Sequence, residues 1–173
     1  TSLLTVVSRL RNVTSEPTVG TEPSTCSFAS GTVILTPSPT STILALSNMA
    51  PGDSTTGALV LTNSGSLGLR YAMTTSATNV DTKGLAGQLT LVVKTIGGGC
   101  ATFDGTQLYS GSLAAGAIGN PQTGDQGSDR ALAAGANETL CFRVTLPLGT
   151  GDAFQGAATV ATFTFDSEQT KNN

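Results

Sequence analysis

The chain has 173 residues, of which 11% are charged and 38% hydrophobic, and its formal net charge at pH 7 is -3. This length fits about one domain, and the 21 glycines with abundant Thr and Ser do not fit a helical protein. The eight Lys and Arg residues are scattered, so nucleic acid is not expected as a partner. No apolar run approaches the roughly 20 residues that cross a bilayer, so no membrane span is expected either.

The first ten residues, TSLLTVVSRL, predict a strand that is apolar on both faces. In an extended chain the apolar side chains divide between the faces as Leu4, Val6 and Leu10 on one and Leu3 and Val7 on the other. A strand of this kind needs burial on both sides. Residues 11–25 contain Pro, Thr and Glu without periodicity and predict an extended linker. The strand can fold back into the sheet of its own domain or complete the sheet of a neighbouring subunit, and both remain open at this point.

Further strands are predicted wherever apolar residues alternate with a period of two. They cover residues 28–36, 42–47, 57–63, 69–75, 88–96 and 137–146. Pro37 is expected to end the first of these, because proline cannot donate to a sheet ladder. Residues 100–103 and 107–113 are expected to pair as a hairpin around Asp104-Gly105. A helical turn is predicted around 81–87, and residues 114–128 are loop by composition.

The last predicted strand, 156–169, has one aromatic face that carries Phe163 and Phe165, which we expect at the centre of the core. Short strands at about ten-residue spacing, separated by turn signals, predict an all-β, jelly-roll-like antiparallel β-sandwich.

Three stretches of the sequence occur in an order that is more specific for a protein family than any one stretch alone. Met49-Ala50-Pro51-Gly52-Asp53-Ser54 leads through a hydrophobic strand to Asn63-Ser64-Gly65-Ser66-Leu67 and then to Arg70-Tyr71. The ending, 155–170, and the positions of Phe28, Gly31 and Leu35 complete the pattern. Together, over roughly residues 28–173, they resemble the TasA/camelysin family.

The resemblance implies an extracellular protein of jelly-roll type whose subunits form biofilm-matrix or surface fibres. In such fibres an N-terminal strand of one subunit completes the sheet of the next, by donor-strand complementation. It therefore favours residues 1–25 as donor strand and linker, and 26–173 as the sandwich domain. The donor side chains would be Leu3, Leu4, Val6, Val7 and Leu10. The expected partner is the chain itself, joined head-to-tail, with other matrix components as further candidates. The long lead, 1–25, departs from the family pattern.

No catalytic constellation accompanies this pattern. The family name includes a metallopeptidase activity, but the sequence has no His, which removes both H-E-x-x-H and the usual base of a Ser or Cys nucleophile. We therefore expect no enzyme, no metal site and no cofactor. Asp125 and Asp129 could contribute to a cation site, although plain solvation of their loop is the favoured interpretation.

Of the three cysteines, Cys100 and Cys141 are the favoured disulfide pair, which leaves Cys26 as a free thiol or an inter-subunit link. Three free thiols are the alternative. Two N-x-T sequons, at Asn12 and Asn137, also suit a protein outside the cytoplasm.

The sequence alone is compatible with two functions. The leading one is a structural subunit of an extracellular filament, and the alternative is a monomeric surface-associated module on the same β-sandwich that binds a carbohydrate or a matrix ligand. A sugar-binding face needs flat exposed rings, whereas the chain has no Trp and only Tyr71 and Tyr109 as tyrosines.

Overall fold

The computed structural model describes the backbone of residues 2–10 together with residues 30–79 and 81–171. Eleven strands are found in these ranges. They are β1 Ser2–Leu10, β2 Leu35–Ser38, β3 Ala45–Leu46, β4 Ser54–Asn63, β5 Leu69–Thr78, β6 Thr90–Thr95, β7 Gln107–Ser112, β8 Ala117–Ile118, β9 Arg130–Leu132, β10 Asn137–Thr145 and β11 Val160–Gln169. One helical turn, α1 Leu85–Gln88, and two 3-10 turns, Leu113–Ala115 and Asp152–Phe154, complete the elements. The predicted linker, Phe28, Cys26 and Asn12 lie outside the described residues.

The strands form two sheets that pack as a sandwich. The first has the order β3-β1-β11-β5-β8, with β9 also paired to β5, and the second has the order β2-β4-β10-β6-β7. All pairings are antiparallel except that of β1 with β11. The all-β, antiparallel sandwich expected from the spacing of the strands is confirmed.

The core lies between the sheets and is centred on the aromatic face of β11. Phe163 meets Phe142 of the opposite sheet with ring centroids 4.8 Å apart, and Phe165 meets Tyr71 of β5 at 6.1 Å. All four side chains are fully buried. Tilted rings at such distances are a favourable arrangement for aromatic pairs. The period-two pattern in β11 therefore places its phenylalanines where both sheets converge.

The structure corrects the prediction that Pro37 ends a strand. Pro37 lies inside β2, paired with Leu61 of β4, and the strand begins only at Leu35. Because β2 is at the edge of its sheet, proline can occupy it without breaking a ladder on its outer side. The strand predicted at 42–47 is reduced to the two residues of β3.

The predicted hairpin of 100–103 with 107–113 is wrong. The first of these segments is a turn, and β7 pairs with β6 instead. The turn folds over the outer face of the second sheet, where the Arg143 guanidinium lies 3.9 Å from the centre of the Phe103 ring and the Lys94 ammonium lies 5.1 Å from it. Cations at these distances are attracted by the ring face, which favours the folded turn over a strand.

Two short strands were not predicted. β8 lies in the segment 114–128, which composition assigns to loop, and β9 follows it. Both pair with β5 over only two or three residues. Segments of two or three residues are too short to show a period-two pattern of apolar residues. They are strands only because they pair with β5.

The structure joins Cys100 and Cys141 by a disulfide, with their Cα atoms 5.1 Å apart. Cys141 points away from the core, as its position in β10 predicts, yet it is only 1% exposed. The turn that carries Cys100 and Phe103 covers this part of the outer face. The bridge therefore fixes that turn to the central strand of the second sheet.

We expect the Cys100→Ser/Cys141→Ser variant, made in a Cys26→Ser background, to lose about 2–4 kcal/mol of unfolding free energy, because a 41-residue loop is no longer closed in the unfolded chain. Urea unfolding of both proteins measures the loss. The Cys26→Ser chain alone should keep the bridge, which peptide mapping without reductant detects. Equal unfolding midpoints with and without the bridge would contradict this expectation.

Candidate assembly site

The N-terminal strand occupies a gap in the first sheet. β1 runs parallel to β11, with Cα partners from Leu3 with Val160 to Leu10 with Ser167. On its other side β1 meets β3 over two residues, and β3 has no other strand neighbour in the described part of the chain. Without β1, the central strand of the core would become an unpaired sheet edge.

The register aligns the predicted donor residues with both faces of β11. Leu4 and Val6 are level with Ala161 and Phe163, which are fully buried, and Val7 is level with the half-buried Thr164. The single chain thus adopts the first of the two arrangements left open by the sequence, in which the strand pairs within its own domain.

Both ends of the segment that follows β1 lie at one end of the sandwich. Leu10 is level with Ser167, and three residues further along the Thr170 N–H donates to the Gly68 carbonyl at 3.1 Å. Gly31 packs against Leu67 so closely that a Cβ on it would collide with that side chain. From strand spacings, the gap between Leu10 and Gly31 is about 30 Å or less.

A buried ion pair lies on the outer face of the first sheet at this same end. Arg70 Nε donates to Glu168 Oε1 at 2.7 Å, and both side chains are buried. The Gly124 N–H donates to both oxygens of that carboxylate, at 3.1 and 3.2 Å. The loop 119–128 therefore covers the pair, which explains how a strand face that reads as solvent-exposed in sequence can bury two charges.

The two aspartates considered for a cation have separate partners in this loop. Asp125 is 80% exposed, with an oxygen 3.7 Å from Arg70, whereas Asp129 Oδ1 accepts the Asn120 N–H at 2.7 Å. Among the described residues, no group of three or more His, Cys, Asp or Glu side chains could hold a metal ion. The carboxylates here organise the loop.

A second polar cluster links the two sheets and was not predicted. The buried Tyr71 hydroxyl on β5 donates to Glu138 Oε2 on β10 at 2.5 Å. Arg130 of β9 donates through Nε to both oxygens of that carboxylate, at 3.0 and 3.1 Å, and Arg130 Nη2 also contacts Oε1. Burial, reinforced by the hydrogen bond to Glu138, raises the pKa of Tyr71 well above its usual range. The hydrogen bond to Glu138 also raises the pKa of Arg130.

One pocket in the described surface is too small for a typical small-molecule ligand. A pocket lined by Met49, Pro51, Leu146 and Phe154, among others, has a volume of about 110 Å³. Small-molecule sites usually have about 300–1,000 Å³. No aromatic side chain that the structure describes is exposed: five are buried and two are half-buried. The buried ones are Tyr71, Phe103, Phe142, Phe163 and Phe165, and the others are Tyr109 and Phe154.

These features define an all-β sandwich protein whose N-terminal strand fills a gap beside the central strand of the core. The family model described as camelysin metallo-endopeptidase matches residues 19–87, a range that contains the Met49 to Tyr71 pattern. The match confirms the resemblance to the TasA/camelysin family. It supports the general expectation of a secreted or surface-associated structural protein.

Other comparisons add less. The ASH / PapD-like domain of human CEP192 (PapD-like domain 7) is similar over 71% of this chain and 76% of that one, at 13% identity and a TM-score of 0.26. A score this low carries no argument. No curated protein matches the sequence.

The residues do not fit the metal that the family's description implies. Zinc peptidases hold their ion with His and carboxylate ligands, and the chain has no His. Glu138 and Glu168 are engaged by Arg130 and Arg70 and lie in different clusters. None of the helices in the described ranges is long and apolar enough to span a bilayer.

We expect the unfolding free energy of Tyr71→Phe to fall less steeply at alkaline pH than that of the wild type. The folded-state pKa of Tyr71 is raised, so the folded chain keeps a proton that the unfolded chain loses above a pH of about 10. The stabilisation is complete below that pH and is lost as pH rises, by at most about 1.4 kcal/mol per pH unit. Urea unfolding from pH 8 to 11 measures the difference between variant and wild type.

Tyr109→Phe is the matched control, since it keeps Tyr71 and should keep the alkaline loss due to it. Identical pH profiles for wild type and Tyr71→Phe would show that Tyr71 does not hold its proton in the fold.

Proposed function

We propose that the chain is a non-enzymatic structural subunit of an extracellular filament, of the kind found in biofilm matrix or on cell surfaces. Subunits join head-to-tail when Ser2–Leu10 of one chain occupies the place beside β11 of the next. The observation that carries the proposal is the eight-residue parallel register between β1 and β11, which presents a complete docking site for an extended strand. The family match supports the extracellular, structural part of it.

A strand in this site gains two kinds of stabilisation. It supplies hydrogen-bond partners to an otherwise unpaired edge, as in other strand additions. It also buries up to five apolar side chains, worth about 1.5–3 kcal/mol each, or roughly 7–15 kcal/mol in total before ordering costs. A joint of this strength is long-lived.

The same contacts form whether the strand comes from its own chain or from a neighbour. The equilibrium between the intramolecular and the exchanged form therefore depends chiefly on the entropy of the tether and on the protein concentration, as in domain swapping. Concentration favours exchange. Because each subunit both gives and receives a strand, the contact is heterologous and propagates as a filament when it does not close into a ring.

The tether is long enough for exchange. Twenty peptide steps separate Leu10 from Ser30 and can span roughly 66–72 Å when extended. The intramolecular gap needs less than half of that reach. β11 alone has ten residues, or about 33 Å of strand, so one subunit length is within range. The rise per subunit in a filament must then be below about 70 Å.

The alternative, a carbohydrate-binding monomer, receives less support. Its requirement for exposed rings is not met by the aromatic side chains that the structure describes.

We expect full-length protein to form filaments in electron micrographs and a variant lacking residues 1–10 to form none. To identify the docking site, Val7→Cys and Thr164→Cys are made in separate chains, each in a Cys26→Ser background, and mixed under mild oxidation. Val7 and Thr164 are level in the register, and neighbouring strands lie within disulfide range. A cross-link between the two different chains is expected.

Thr62→Cys, on the second sheet, replaces Thr164→Cys in the control mixture and should yield no comparable cross-link. The proposal fails if the truncated protein forms the same filaments as the full chain, or if both remain monomers at high concentration.

Shortening the tether separates the two arrangements. Deleting residues 12–21 leaves ten steps, or roughly 33–36 Å, which still spans the gap within one chain but barely reaches one subunit length. We expect a folded monomer with few or no filaments by sedimentation and microscopy. Replacing 12–21 with ten Gly and Ser residues restores the length and should restore assembly. Filaments of unchanged abundance from the shortened chain would argue against exchange.

A further inference from the structure

Each strand carries one charged residue within the stretch where β1 and β11 are paired. Arg9 is the only charged residue in Ser2–Leu10, and Asp166 is the only one in the stretch of β11, 160–167, that β1 covers. The register places these two residues level with each other. Any other register of the same two strands would separate them.

We propose that the Arg9 and Asp166 charges fix the register of the donor strand and select the chain that accepts it. The acceptor in question is a second copy of this chain, so this part rests on the proposed function. The register itself is a property of β1 and β11 wherever the strand originates.

The apolar residues of β1 cannot fix the register alone. A shift by one residue would exchange the two faces, but a shift by two keeps every residue on its face. Leucine and valine are interchangeable to a first approximation in such a shift, because burial is not directional. A charged position is the feature of β1 that tells one such register from the next.

The alternative registers offer no equivalent partner for Arg9. A shift in one direction sets it level with Thr164, which is uncharged. A shift in the other sets it level with Glu168, which is fully buried and already accepts from Arg70 and Gly124. In the observed register Arg9 is level with the half-buried Asp166, and on the far side of Asp166 the partner in β5 is Ala72.

Placing two like charges at positions 9 and 166 tests the proposal more strongly than removing one charge does. A half-buried carboxylate is only partly screened by water, and two like charges side by side in an interface destabilise it. We expect a single charge reversal to raise the protein concentration needed for assembly by at least about tenfold.

The test uses three full-length proteins, Arg9→Asp, Asp166→Arg and the double variant. Each single variant has like charges at every joint and should assemble poorly. In a 1:1 mixture, a filament in which the two single variants alternate has opposite charges at every joint, so assembly should recover. The double variant also has opposite charges at every joint and should assemble alone. Pelleting assays and electron microscopy measure both. Full assembly of either single variant, or no recovery in the mixture, overturns the inference.

Lys171→Asp is the matched control, because Lys171 is exposed and its reversal changes net charge as Arg9→Asp does. It should assemble like wild type. Circular dichroism of each variant verifies that the sandwich is folded.

Failure of the filament proposal is distinguishable from failure of this one. If wild type forms no filaments, the strand remains within its own chain, and the same variants form a double-mutant cycle on unfolding. The double variant should then recover at least about fivefold of the unfolding equilibrium constant lost in the singles. Strictly additive effects of the two reversals would overturn the register assignment.

Discussion

The two edges of strand β11 are the constraint on which the rest of this protein depends. β11 carries Phe163 and Phe165 at the centre of the core and must be paired on both sides, because an unpaired edge there would expose backbone groups beside the largest buried side chains. β5 satisfies one edge over ten residues within the compact domain. The other edge is satisfied by a strand that reaches it only through a long segment of chain. The stability of the fold and the proposed assembly therefore depend on the same hydrogen bonds.

Under the proposed function, this arrangement would let one molecule serve as both monomer and subunit. The acceptor edge does not distinguish a strand of its own chain from an identical strand of another, so concentration and tether length decide between them. A long tether weakens the intramolecular preference only slightly, since loop-closure cost grows slowly with length. The proposed assembly must also specify the register, and Arg9 and Asp166 are the only charged residues along this pairing of apolar and hydroxyl-bearing side chains.

The remaining polar features stabilise the sandwich around that edge. The cluster of Tyr71, Glu138 and Arg130 joins the two sheets, the pair of Arg70 and Glu168 anchors the loop 119–128, and the disulfide fixes a turn to β10. The acidic residues are held by guanidinium groups and backbone N–H groups, and the chain lacks the imidazole that a zinc centre would use.

Local pattern in the sequence was sufficient for the sandwich and for the inward side of β11, because period-two alternation depends only on the geometry of an extended chain. It was sufficient for the favoured cysteine pair as well. Tertiary structure alone decided that β1 runs parallel to β11, that Pro37 is tolerated at an edge, and that Arg70 and Glu168 are buried beneath a loop. Those outcomes depend on which residues become neighbours across 24 (Pro37 to Leu61) to 157 (Leu3 to Val160) positions of the chain, and no local periodicity encodes such a neighbour.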